Sequence, residues 1–338
     1  MSTRFRRMAI TQPGGPLRPI EVAIADPEPG WVSVRVSAGG VCGADLGTAG
    51  AAKPAGGFPI TPGHEISGVI DTIGAAVNGW QPGDRVAVGW SGGSCGHCHP
   101  CRTGDQVHCR QRRIPGLSYP GGWADTVTVP VDALARIPDS LSEADAAPMG
   151  CAGVTTFTAI RDAGLPPGSR VAVYGLGGLG HLAVQFAARM GHEVVAIARG
   201  TGRKHDSASF GAHHYLDATA PDPGRALARL GGVDLILCTA PASEPISTLL
   251  DGLRLRGRLT LIGIDGGAVK IPVARLVMNA QTVTGHLTGT PADIEDTMRF
   301  ATAHDVRPRL ERLPLDQADL AVRRLRDGQA RYRLVLEP

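Results

Sequence analysis

The chain has 338 residues, and its 34 Lys and Arg against 31 Asp and Glu leave a net charge of 34 − 31 = +3. That length exceeds the usual single-domain range and predicts two domains, each with its own core. Near balance of charge and the lack of a long basic run exclude nucleic acid and anionic membrane surfaces as expected partners and leave small-molecule chemistry. No apolar run is long enough to span a bilayer, and Arg4, Arg6 and Arg7 are followed by Gln12, Pro13 and two glycines where a signal peptide needs an apolar core, so a cytoplasmic protein is expected.

From Arg4 to about Gly150 the pattern is β. Residues 31–37, 84–88 and 124–129 alternate apolar and polar side chains with period two, punctuated by Pro29-Gly30, Pro62-Gly63 and Pro82-Gly83, which predicts a partly closed antiparallel barrel. Helix formers follow over 142–147, and a helix over 151–163 leads to the short apolar strand 171–174. Gly175-Leu-Gly177-Gly178-Leu179-Gly180 then fits the G-x-G-x-x-G spacing that opens a dinucleotide-binding helix. The first glycine permits the tight turn, the second lets a pyrophosphate approach the backbone, and the third lets the helix pack close to its strand. Leu182, Val184, Phe186 and Ala187 lie on that helix and Val194 to Ile197 supply the next buried strand, so a whole βαβ unit surrounds the turn. Helices near 206–210, 225–230 and 246–253 and strands at 214–216, 233–238, 258–263 and near Val283 continue the alternation of a doubly wound parallel sheet. The tail predicts helices over 291–303 and 317–325 and a closing strand, 331–336, that returns to the first domain.

Seven cysteines occur, and four of them, Cys95, Cys98, Cys101 and Cys109, crowd one loop. Gaps of two, two and seven residues let four thiolates converge on a tetrahedral Zn2+ that closes the site to substrate, a structural role. An iron–sulfur cluster is the alternative, but the usual three-residue final gap and Cys-Pro ending are missing. A second set is scattered: Cys42, His64 with Glu65, and Cys151. Two thiolates and an imidazole would leave one position open on Zn2+, as a catalytic site requires. Singly, each of these residues reads as a buried cysteine or a turn histidine, and only the joint pattern carries the reading.

In order along the chain, Gly-Val-Cys-x-x-Asp, Pro-Gly-His-Glu, the four-cysteine loop, Cys-Ala-Gly-Val-Thr and Gly-Leu-Gly-Gly-Leu-Gly resemble the zinc-dependent medium-chain alcohol dehydrogenases over nearly the whole length. The resemblance implies an α/β chain with a GroES-like catalytic domain, 1–150 and 286–338, and a Rossmann domain, 151–285. It implies two Zn2+ per chain, with Cys42, His64 and Cys151 as catalytic ligands and Glu65 as an occasional substitute. Asp45 falls where the family orients the ligand histidine. Thr155 matches a position flanking the nicotinamide, Arg333 one that contacts the coenzyme pyrophosphate, and Trp90 a wall of the substrate pocket or else ordinary core. Dimers or tetramers are implied, possible by pairing of Rossmann edges near Val283.

The residue ending the second strand is Asp or Glu where it holds the free ribose 2′-hydroxyl of NAD. Here it is Ala198, followed by Arg199, Arg203 and Lys204. A carboxylate that would repel a 2′-phosphate is gone and cations that would pair with it are present, so NADP(H) is expected; the plainer reading is a solvated basic face. A second departure lies beside the expected zinc. Family members that oxidise alcohols carry Ser or Thr two residues after the first ligand cysteine to pass a proton toward a histidine, and those places here read Ala44 and Gly47. Thr48 or water would have to replace that route. The expected activity is hydride transfer between NADP(H) and a carbonyl or alcohol; conjugate reduction of an enal or enone, or iminium reduction, is the alternative, because neither needs a proton delivered to oxygen. A coenzyme-binding protein without catalysis would show a broken ligand set, and this set is whole.

Overall fold

Period-two alternation in 31–37 belongs to the longest strand of the protein, Trp31–Val41, which the computed structural model pairs antiparallel with Ile66–Ile73, Thr126–Pro130 and Arg333–Glu337. The structure describes residues 4–50 and 57–338, with the backbone alone at 48–50. The sheet runs Leu310–Pro314, Arg333–Glu337, Trp31–Val41, Ile66–Ile73, Arg85–Val88, Leu134–Arg136. Val32, Val34 and Val36 turn one face of the long strand onto Ile66, Ile70, Val86 and Val88.

Not every pairing is antiparallel. Leu310–Pro314 runs parallel to Arg333–Glu337, so this sheet is mixed. The sequence Leu-Glu-Arg-Leu-Pro carries two charges and a terminal proline, a composition that suits an edge strand but hides it from pattern reading. The chain divides into one unit of Met1–Val154, Thr288–Ala303 and Arg307–Pro338 and another of Thr155–Leu287 with His304–Val306.

In the second unit six parallel strands lie in the order His214–Asp217, Glu193–Ala198, Arg170–Tyr174, Val233–Cys238, Leu253–Leu261, Thr282–Gly285. Strand order reverses between Arg170–Tyr174 and Val233–Cys238, which makes the carboxyl ends of those two strands the expected ligand crevice of a doubly wound sheet. Val195, Ile197, Ile236 and Leu259 are fully buried in it, which is why these strands read as continuous apolar runs.

Several helical expectations need correction. The segment 151–163 is not one α-helix: Ser142 accepts from the Asp145 N–H at 3.2 Å to start Glu143–Pro148, a π-helical turn Met149–Gly153 follows, and the α-helix resumes at Val154–Arg161. Cys151 therefore sits on the widened turn, a distortion common at functional sites. Gly43–Gly50 and Val273–Asn279 are helices that were not expected. The first is rich in glycine, which lowers its helix propensity, and the second is only seven residues long, too short for a helical period to show in the sequence. No helix among the described residues is long and apolar enough to cross a membrane.

Candidate active site

Four elements of the first unit deliver one cluster. Cys42 ends the strand Trp31–Val41, Asp45 lies on the helix Gly43–Gly50, His64 and Glu65 enter the strand Ile66–Ile73, and Cys151 sits on the π-helical turn. One donor atom from each of Cys42, His64, Glu65 and Cys151 lies within 4.8 Å of the others. Cys42 Sγ is 4.0 Å from Cys151 Sγ, and His64 Nε2 is 3.3 Å from Cys151 Sγ. A tetrahedral zinc with its usual bond lengths needs edges of about 3.8 Å between two thiolates and about 3.5 Å between thiolate and imidazole. The donor set therefore fits the metal.

Asp45 organises this cluster. Its Oδ2 accepts from the Cys42 N–H at 2.8 Å, and its Oδ1 lies 3.0 Å from His64 Nδ1 and 3.3 Å from the Gly63 N. With Asp45 and His64 each 2% exposed, the carboxylate keeps the imidazole proton on Nδ1 and turns Nε2 toward the cysteines. Burial opposes a charge on His64, but Asp45 outweighs it and raises its pKa well above the ordinary value. Hydrogen bonding from Cys151 holds the Cys42 thiol well below its ordinary range despite burial, and the same contact with burial holds Cys151 well above it. Buried thiolate character of this kind suits a soft cation.

Arg333, expected at the coenzyme pyrophosphate, is 3% exposed and donates to Glu65 Oε2 in the interior of the first unit. Burial disfavours its charge, yet the charges of Glu65, Cys42 and Cys151 push its pKa up. Burial also pushes the Glu65 carboxyl up to about 7, against the pull of Arg333. Glu65 Oε1 has no hydrogen-bond partner among the described residues, which leaves one oxygen uncommitted beside the cysteines. Trp90 packs edge-on against His64, ring centroids 4.9 Å apart at 88°, and so adjoins the cluster. Ala44 and Gly47 are exposed, and a Cβ on Gly47 would meet nothing within 4 Å. Thr48's side chain and residues 51–56 lie outside the described residues.

The four-cysteine loop forms a second donor cluster, with Cys98 Sγ 3.5 Å from Cys101 Sγ and 3.9 Å from Cys109 Sγ. Backbone N–H groups of Cys95 and Gln111 each donate to Cys109 Sγ at 3.3 Å. Those of Cys101 and Arg110 bring the Cys98 thiol down to about 6, while burial pushes Cys101 up to about 11. Backbone donors that support thiolate charge are what a closed Zn2+ site needs.

In the second unit the glycine turn follows Arg170–Tyr174 and opens the helix Gly180–Arg189. Gly175 has φ +99, and a Cβ there would lie 2.7 Å from the Ala240 N, so the turn needs glycine both for its conformation and for its approach to the neighbouring strand end. A Cβ on Gly180 would overlap the Gly175 carbonyl oxygen. Gly177 faces open space, and Gly178 and Leu179 lead into the N-terminus of the helix Gly180–Arg189, the end of a helix dipole that favours an anion. Ala198 ends the strand Glu193–Ala198. The Arg199 and Lys204 side chains are exposed and have no hydrogen-bond or ion-pair partner among the described residues, whereas Arg203 donates to the Leu176 carbonyl within the glycine turn. Thr155 starts the second unit, its hydroxyl 3.5 Å from the Leu287 carbonyl oxygen at the carboxyl end of the last strand.

Two family models match the chain, the alcohol dehydrogenase GroES-like domain over residues 28–139 and the zinc-binding dehydrogenase over 178–303. An alcohol dehydrogenase, patD, of Penicillium expansum is 37% identical over 332 residues, which cover 98% of this chain and 97% of the relative. The chain belongs to the zinc-type medium-chain dehydrogenases and reductases. It is accordingly an oxidoreductase of the alcohol dehydrogenase type, built from a GroES-like and a Rossmann-type domain. The NADP-dependent alcohol dehydrogenase C 1 of Mycolicibacterium smegmatis is 33% identical over 315 residues, 90% of each chain. Among solved structures, a cinnamyl alcohol dehydrogenase of Sorghum bicolor superposes with a TM-score of 0.92 at 29% identity, covering 99% of this chain and 98% of that one.

Two residues of the second unit went unread in the sequence. Tyr215 and Asp217, on the strand His214–Asp217, hold the turn that carries Arg199. An Asp followed by Ala-Thr was a local turn signal, but nothing in it named the backbone that it would bind.

Proposed function

We propose that this chain is an NADPH-dependent, zinc-dependent reductase of aldehydes or ketones that also runs as an alcohol dehydrogenase. The convergence of Cys42, His64 and Cys151, with Glu65, within 4.8 Å carries the reading. When bound, zinc polarises the substrate oxygen and NADPH supplies the hydride. Cys42, His64 and Cys151 would hold the metal with room for a substrate oxygen, while Arg333 engages one oxygen of Glu65. Asp45 sets the His64 tautomer, and Trp90 walls the pocket against His64. Unpaired Arg199 and Lys204, together with the missing carboxylate at Ala198, support NADP(H), and the NADP-dependent Mycolicibacterium relative agrees with it. A second Zn2+ on Cys95, Cys98, Cys101 and Cys109, a catalytic part made of 1–150 and 286–338, a coenzyme part of 151–285, and a cytoplasmic dimer or tetramer complete the reading.

A second reading, conjugate reduction of an enal or enone or reduction of an iminium, is favoured by one observation: the exposed positions Ala44 and Gly47 offer neither hydroxyl nor imidazole to move a proton. Incubating the zinc-loaded protein with cinnamaldehyde, and NADPH or NADH in parallel, separates the two. Cinnamyl alcohol is expected, formed faster with NADPH, and metal analysis is expected to return two zinc ions per chain. The saturated aldehyde as product would replace the first reading by the second, and a faster NADH reaction would overturn the role of Arg199.

A further inference from the structure

The turn that carries Arg199 is held from the neighbouring strand. Gly200, with φ +67, has both of its polar backbone groups engaged there: its N–H donates to Asp217 Oδ1 at 2.7 Å, and its carbonyl accepts from the Tyr215 hydroxyl at 2.6 Å. The same hydroxyl lies 3.4 Å from the Ala198 carbonyl, which also accepts the Ala218 N–H at 2.9 Å. Backbone on both sides of Arg199 is thus tied down while its side chain stays exposed and unpaired. Burial raises the Tyr215 pKa, so the phenol remains a donor. Asp217 Oδ1 also accepts from the Thr219 N–H and hydroxyl, each at 2.8 Å, and no cation among the described residues pairs with this carboxylate. It remains a net negative charge in the neighbourhood of a cationic turn.

We infer that Tyr215 and Asp217 are positioning residues for the coenzyme's adenosine 2′-phosphate, acting through Gly200 on the direction of Arg199. The inference rests on the NADP(H) reading above and names residues outside the glycine turn that set its selectivity. Charge and position predict opposite signs at Asp217. As a charge alone, this carboxylate repels a 2′-phosphate, and removing it would tighten binding. As the anchor of Gly200, its loss frees the turn and weakens binding.

The test is calorimetric titration of adenosine 2′,5′-bisphosphate and 5′-AMP, which differ only by the 2′-phosphate, into the zinc-loaded protein and its Tyr215→Phe, Asp217→Ala and Arg199→Ala variants. Wild type is expected to bind the bisphosphate more tightly than 5′-AMP, and Arg199→Ala to lose most of that preference. Tyr215→Phe and Asp217→Ala are each expected to weaken the bisphosphate by about five- to tenfold, the worth of one net hydrogen bond, while 5′-AMP changes by less than about twofold. Retained 5′-AMP binding reports that each variant is folded. Equal weakening of both nucleotides, no weakening of either, or tighter bisphosphate binding by Asp217→Ala would overturn the positioning role while leaving that of Arg199 intact. Equal affinity of the wild type for the two nucleotides would overturn the NADP(H) reading and this inference with it.

Discussion

Asp45→Asn tests whether the cluster at Cys42, His64 and Cys151 is built around one carboxylate. The carboxylate receives the Cys42 N–H, the His64 ring N–H and, more weakly, the Gly63 N–H, all inside the protein. Truncation to alanine would leave these donors without an acceptor at about 1–3 kcal/mol each, enough to threaten a fold whose whole stability is about 5–15 kcal/mol. Asparagine keeps one accepting oxygen but turns an NH2 toward a former donor, so the metal-free variant should lose only about 1–3 kcal/mol, seen in urea unfolding. Its effect on zinc should exceed its effect on the fold. With the tautomer of His64 no longer enforced and Nε2 no longer made more basic, zinc affinity should fall by about 10- to 100-fold, measured by competition with a chromophoric chelator. Cobalt substitution would report the same change in its ligand-field spectrum. Wild-type metal affinity in a folded Asp45→Asn protein would refute the argument that Asp45 orients the ligand imidazole.

Gly180→Ala should lower both coenzyme affinity and thermal stability, because its Cβ overlaps the Gly175 carbonyl and the helix start must shift by a cost of about 1–3 kcal/mol; a normal melting temperature with normal NADPH binding would contradict that packing. Ala44→Thr, at an exposed helical position, should raise carbonyl reduction by up to about tenfold, a small part of what a positioned proton donor contributes, and an unchanged kcat in a folded variant would count against a missing relay as the limiting feature. The hydrogen bond from Arg170, then that of His214, depresses the Glu193 pKa below its ordinary value. A depressed carboxylate stabilises the fold above its unfolded pKa and loses that contribution as pH falls through the folded value. Urea midpoints of wild type should therefore fall below about pH 4.3 more steeply than those of Glu193→Gln, and parallel acid limbs would refute the pairing.

Sequence alone determined the features that depend on local spacing. Gly175, Gly177 and Gly180 announce their turn because only glycine tolerates φ +99 at the first position and the close helix approach at the last. Cys95, Cys98, Cys101 and Cys109 announce a metal loop because fifteen consecutive positions, 95–109, hold all four donors. The resemblance carried by the motifs gave the scattered ligands as well. Tertiary structure decided what distance along the chain conceals. Arg333 lies 268 residues from Glu65, and their pairing depends on the closing strand returning beside Trp31–Val41. Cys151 sits on a π-helical turn instead of the α-helix that its composition predicts, because Pro148 lacks an N–H and glycines flank the cysteine. Tyr215 and Asp217 read as an ordinary strand end, and only the parallel pairing of His214–Asp217 with Glu193–Ala198 brings them to Gly200. Short-range pattern specifies which groups a segment offers; which of them meet is set by strand order and burial, which no local window contains.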